Sequence, residues 1–385
     1  MKAKTISGAS TLEILKALEN TMEDGYTPTL ALVFISIKQD RKAIRDVLSS
    51  KDIDVVGATS SVEFIAGQQS DGEIVLMLLD VNKNDYCILF EAIEERALSE
   101  AATQLAQNAL QKFEAPAFIL CTTSITESGE MLDGEKIIES IAHVIDADTP
   151  VFGGMAGDDL TFTGSYVFTN LQETDYGLTS VVFNARKIDL YGVALSGWKP
   201  LGLSKTITKS EGNLVYTFDD KPALEVYLRY LGKENAATLH HLEFFDEVGV
   251  HYPMQIERTG RDPKMCNPIG YDKEKEALIF ESEVLQGSKF RFSTPPDFDI
   301  VDTVVASATA IKKESNTEAD AVLIFSCAGR LSALGPLAEQ ENDGLAAVWN
   351  SPMAGFYTYG EFGKSPSGRH EFHSTTCSWV ALKEK

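Results

Sequence analysis

Residues 351–363 read SPMAGFYTYGEFG, a short apolar entry into a segment holding three glycines, two phenylalanines, two tyrosines and a glutamate. Two other stretches resemble it. Residues 55–64 read VVGATSSVEF and residues 149–159 read TPVFGGMAGDD. Each closes a similar run of chain. LALVFIS, PAFILCTTS and DAVLIFSCAGR are strand-like, each is followed by a helix-like stretch, and each then leads into its glycine segment. This order predicts three related strand–helix–strand units. The first and third also share a spacing, Gly57-x5-Glu63 and Gly355-x5-Glu361, while the middle one carries Asp158 and Asp159 after Gly157. Glycine at a strand end permits tight turns and close backbone approach, and such strand ends often line crevices in α/β folds. Spacing alone leaves both readings open.

The rest of the chain supports a mixed α/β fold. Further strand-like runs lie at 74–79, 180–183 and 190–195, several of them continuously apolar, as expected of strands covered on both faces. Helical spacing links Ala102, Leu105, Ala106, Ala109, Leu110 and Phe113. It also links Ile137, Ile138, Ile141, Val144 and Ile145, and then Leu224, Tyr227, Leu228 and Leu231. Ser10 to Glu13 fits a capping box before an N-terminal helix that Gly25 stops. Asp219 or Asp220 is the expected cap of the helix around Pro222, and Gly232 its end. The expected organisation is two related halves, residues 1–215 and 216–385, each a largely β-sheet core covered by helices.

Composition narrows the function. The 385 residues carry a net charge of −23, which disfavours binding to nucleic acid or to an anionic membrane surface. No apolar run is long enough to span a bilayer, and the start does not read as a signal peptide. Five cysteines without a CxxC pair fit reduced thiols, so a cytoplasmic location is expected.

The chemistry-bearing residues form no specific catalytic motif. Cys327 and Arg330 are separated by two residues, too few for a phosphate-binding cysteine loop. A buried thiol beside an arginine paired with an acid such as Glu361 accounts for them. FGGMAGDD lacks the lysine–hydroxyl ending of a phosphate loop, and Asp158 and Asp159 read first as turn residues. The six histidines form no metal motif. His241 or His251, near Phe244, Phe245 and Met254, could serve as a non-covalent haem ligand.

VLIFSCAGRLSALG, SPMAGFYTYGEFG and FHSTTCSWVAL, taken in order, resemble the C-terminal half of the FIST family, whose name stands for F-box and intracellular signal transduction proteins. DDKPALEVYLRYLG resembles the start of that half, and VVGATSSVEF and TPVFGGMAGDD resemble motifs of the N-terminal half. The resemblance implies an intracellular sensory protein for a small ligand, with an amino acid or similar zwitterion as candidate. It implies an output through a separate histidine kinase, cyclic-di-GMP enzyme or chemotaxis protein, and not an enzyme. One subgroup of the family binds haem to sense nitric oxide, which is the alternative reading. A cysteine-dependent hydrolase is a third. The expected ligand site gathers the glycine-rich strand ends. Arg330 would take an anionic group, Glu361 would take an amine or pair with Arg330, and Phe356, Tyr357 and Gly355 would form walls. Cys327, Thr59, Glu63, Asp158 and Asp159 would lie close by.

Overall fold

The computed structural model describes residues 1–233 and 240–385, with only the backbone of His241 and Leu242. Among the described residues the strands form three six-stranded sheets and one of eight. The fold is mixed α/β, and the three echoes seen in the sequence are three copies of one unit.

The first unit runs strand Lys2–Gly8, helix Thr11–Met22, strand Leu30–Ser36, helix Arg41–Ser49 and strand Asp54–Ser60. A short hairpin, Glu63–Ile65 with Gln68–Ser70, and a return strand Ile74–Asp80 complete it. The second unit repeats this order from Tyr86–Ala92 to Gly177–Asn184, with Val167–Thr169 and Glu173–Thr174 as its hairpin. The third begins with Ile188–Leu195, resumes at helix Asp299–Ser315, and ends with hairpin Glu361–Lys364 and His370–His373 and return strand Cys377–Glu384. In each unit the two central strands pair in parallel across their helical connection, as βαβ geometry requires.

The hairpins do not stay with their own sheets. The first unit's hairpin pairs with strand Met353–Thr358 of the third, the second unit's with Asp54–Ser60 of the first, and the third unit's with Val151–Met155 of the second. The exchange is cyclic, so all three sheets are interlocked. Their inner faces share one core, built from residues such as Leu32, Phe34, Ile119, Phe152, Leu323 and Phe356. Their outer faces are each covered by that unit's helices. The N-terminal half therefore supplies two units and the first strand of the third, and the C-terminal half supplies the rest of it.

Between Ile188–Leu195 and Asp299–Ser315 the third unit carries an inserted body. Its eight strands run from Pro200–Glu211 to Lys289–Ser293 and enclose a core of their own with helix Ala223–Leu231. That helix ends as read, at Gly232 in the left-handed conformation. Its start differs. Pro222 occupies the cap position, and Asp219 and Asp220 instead adopt positive φ in the preceding turn, a conformation that short polar side chains tolerate. At the N-terminus Ser10 accepts from the Glu13 amide, while the Glu13 carboxylate reaches back to the Ala9 amide. The expected boundary between 215 and 216 falls within strand Leu214–Phe218 of the inserted body. No helix among the described residues is long and apolar enough to cross a membrane.

Candidate functional site

The three glycine segments are where the chain leaves one sheet for another. Gly57 pairs with Phe168, Gly153 with Phe362 and Gly355 with Phe64, each phenylalanine belonging to an exchanged hairpin. A Cβ on Gly57 would stand 2.2 Å from the Phe168 ring, and one on Gly355 2.5 Å from the Phe64 ring. One on Gly153 would lie 1.8 Å from the Leu120 carbonyl oxygen. Four residues past each glycine, a backbone amide closes a ring of hydrogen bonds: Ser61 donates to Tyr357, Gly157 to Thr59 and Tyr359 to Met155. A second ring runs from the amides of Thr59, Met155 and Tyr357 to the carbonyls of Tyr166, Gly360 and Val62.

The recurring glutamates fasten these crossings. Glu361 is fully buried and accepts from the Thr358 hydroxyl at 2.6 Å and from the Thr376 amide and hydroxyl at 3.2 and 2.8 Å. Glu63 is equally buried, accepts from the Ser60 hydroxyl, and takes the Glu73 amide at 3.2 Å. Both thus tie the end of a central strand to the start of the return strand. Burial pushes each carboxyl up to about 8. In the second unit the position before Phe168 is Val167, and Asp158 works differently. Its carboxylate gathers the amides of Thr163 and Gly164 and the hydroxyls of Thr161 and Tyr359, holding a tight turn. Asp159 takes the Ser36 hydroxyl and Lys38. Thr59 donates to the Gly157 carbonyl at 2.6 Å.

The expected pairing of Arg330 with Glu361 does not occur. Arg330 lies in helix Ala328–Leu334 of the outer layer, fully buried, and its guanidinium takes both oxygens of Glu341 on helix Leu337–Trp349. It also donates to the Ser196 carbonyl and lies 5.2 Å from the Trp198 ring centre. Glu361 has crossed to the second sheet, so the two side chains serve different layers. Cys327 precedes this helix, and burial, then the Glu361 carboxyl, push its thiol well above the ordinary range. Phe356 packs into the central core 4.7 Å from the Phe34 ring centre. Tyr357 packs on Phe64 and accepts from Asn342. His251 is half-buried beside Tyr252, and burial lowers its pKa. The side chain of His241 lies outside the described residues.

A cleft of about 180 Å³ lies elsewhere, between the third unit and the inserted body. None of the ten residues expected from the strand ends lines it, nor does His251. Trp198, Met265 and Phe372 give it apolar wall, and Arg258, Lys264 and Glu281 give it charge of both signs. Glu281 accepts from the Asn267 amide and side-chain nitrogen, each at 3.0 Å, and from Ser374, and the Lys264 charge acts on it although no salt bridge reaches it among the described residues. Burial raises its pKa. His373 donates from Nε2 to the Gly363 carbonyl at 3.1 Å, and burial pushes it down to about 4, so it is neutral near pH 7. Thr376, also in the wall, carries the hydroxyl that binds Glu361.

The family models of the FIST N domain and the FIST C domain match residues 29–221 and 223–364. This chain belongs to the FIST family. FIST domains are associated with sensing in signal transduction. The uncharacterized protein MJ1623 of Methanocaldococcus jannaschii is 26% identical over 196 residues, covering 47% of this chain and 36% of that protein. The chain thus spans well under half the length of that relative.

In this FIST chain the sequence pointed to the crossings and missed the cleft. The signal available was RTGRDPK at 258–264, three cations and one acid about a glycine and a proline, which reads equally as a solvated hairpin tip.

Proposed function

We propose that this FIST protein is a cytoplasmic sensor that holds a small zwitterion, such as an amino acid, in the cleft between the third unit and the inserted body. The observation that carries this reading is the charge arrangement of the cleft. Arg258 and Lys264 offer donors to a carboxylate, and Glu281, without an ion-pair partner among the described residues, offers acceptors to an ammonium group. Trp198, Met265 and Phe372 accommodate an apolar side chain. A ligand that touches two bodies at once can favour one arrangement of them over another, which is what sensing requires. The signal then passes to a separate output protein such as a histidine kinase, a cyclic-di-GMP enzyme or a chemotaxis protein. A binding role also fits the chemistry of Cys327, since a thiol so strongly disfavoured as thiolate is a poor nucleophile.

Thermal melting of the full chain against the twenty amino acids tests this. A subset should raise the melting temperature, and Glu281→Gln should weaken that response while leaving the unliganded melting temperature close to wild type. No response to any amino acid, or a response untouched by Glu281→Gln and Arg258→Ala, would remove the reading.

A further inference from the structure

Two of the cleft's charges are already in use, and the way they are used suggests how binding becomes a signal. Arg258 and Lys264 stand at the two sides of one hairpin tip, between strands Met254–Ile256 and Lys264–Cys266 of the inserted body. Arg258 donates to Glu371 at 2.6 Å, on the third unit's exchanged hairpin. Lys264 donates to Glu135 at 2.5 Å, in the first turn of helix Gly134–Ala142 of the second unit. A third tie runs from the Ser367 amide to Asp262, at 2.8 Å. The tip is therefore strapped to two units of the core by ionic contacts. The backbone hold is lighter: among the described residues strand Lys264–Cys266 pairs only with Met254–Ile256, and the tip itself is held by the Glu257 amide on the Lys289 carbonyl. The base of the hairpin is fixed, with Met254 and Cys266 buried.

Both cations line the cleft, and neither of their acid partners does. An anionic group entering the cleft competes with Glu371 and Glu135 for the same donors. Glu371, itself almost fully buried, has a substitute at hand, since Arg261 Nε lies 3.7 Å from its second oxygen. Resting on the reading that the cleft takes a small zwitterion, we propose that the ligand's carboxylate draws Arg258 and Lys264 away from Glu371 and Glu135 and unlatches the 257–263 tip. The released tip is then the element an output partner senses. The amine contributes affinity through Glu281, and the carboxylate alone trips the latch.

Hydrogen exchange of the full chain, read by mass spectrometry over 257–263, tests this with leucine, 4-methylpentanoate and 3-methylbutylamine as matched zwitterion, anion and cation. Calorimetry on the same samples reports binding. Leucine and 4-methylpentanoate should speed exchange of the tip roughly five-fold or more, and 3-methylbutylamine should not. Without ligand, Glu135→Gln combined with Glu371→Gln should speed it likewise. Glu135→Gln alone, at a partly exposed position, should give part of the effect in a chain whose fold is not in question. Binding of leucine with unchanged exchange at the tip overturns the latch and leaves the zwitterion site standing. Unchanged exchange in both glutamine variants also overturns the latch. Failure of leucine, 4-methylpentanoate and every other amino acid of the melting series to bind overturns the latch together with the site it rests on.

Discussion

The crossings and the cleft hold the same kinds of residues in opposite conditions. At the crossings Glu361 is enclosed by two hydroxyls and an amide, and Arg330 nearby is matched oxygen for oxygen by Glu341. In the cleft Glu281, bonded by Asn267 and Ser374, lines the cavity, while Arg258 and Lys264 reach out of their own body to find acids. A buried polar group closed in by its own fold holds structure together. One that lines a cavity, or is borrowed across a gap, is open to a ligand.

The largest test of this contrast is Gly153→Ala. The added carbon meets backbone, the Leu120 carbonyl, and no side-chain rotation relieves it. Circular dichroism and solubility should show loss of the folded protein, with a cost above about 4 kcal/mol. Next comes Arg330→Met, which leaves Glu341 buried without its partner; urea denaturation should show a loss of about 3–5 kcal/mol. Arg330→Met with Glu341→Met should recover most of that loss, as expected of a structural pair.

The glutamates give a smaller, pH-dependent effect. Glu63 and Glu361 hold their protons up to about 8 in the fold, against 4.5 ordinarily. The folded chain then binds more protons than the unfolded one, so stability falls as pH rises from 4.5 to 8, by up to about 1.4 kcal/mol per pH unit per group. Glu361→Gln and Glu63→Gln should flatten that slope in melts taken across this range. A slope unchanged in both variants would place the titration elsewhere. The smallest effect on stability belongs to Arg258→Ala, because Arg261 Nε, 3.7 Å from Glu371, remains to meet that nearly buried carboxylate, yet the response to amino acids should be lost.

The units were legible because each repeats strand, helix and glycine segment at short range, within reach of hydrophobic periodicity. The exchange of hairpins was not, since Phe64 meets Gly355 only through the third dimension. The offset shared by Glu63 and Glu361 was a true sign of equivalence. Its partner was misassigned because Arg330 is close in sequence to the strand end but lies on the helical side of the sheet. The cleft escaped notice because its walls come from segments far apart in the chain, and an isolated Glu281 or Trp198 carries no pattern.

The cyclic exchange also sets an order in time. During synthesis the first unit's hairpin emerges long before strand Met353–Thr358, the edge it completes. Its apolar Phe64 must wait for nearly the whole remaining chain, and the second and third sheets can close only at the end. Such long-range pairing slows folding and leaves strand edges open to wrong partners meanwhile. For this protein the hazard of misassembly is concentrated in the ribosome-bound and newly released chain, and a chaperone that shields the 63–70 hairpin would meet it there.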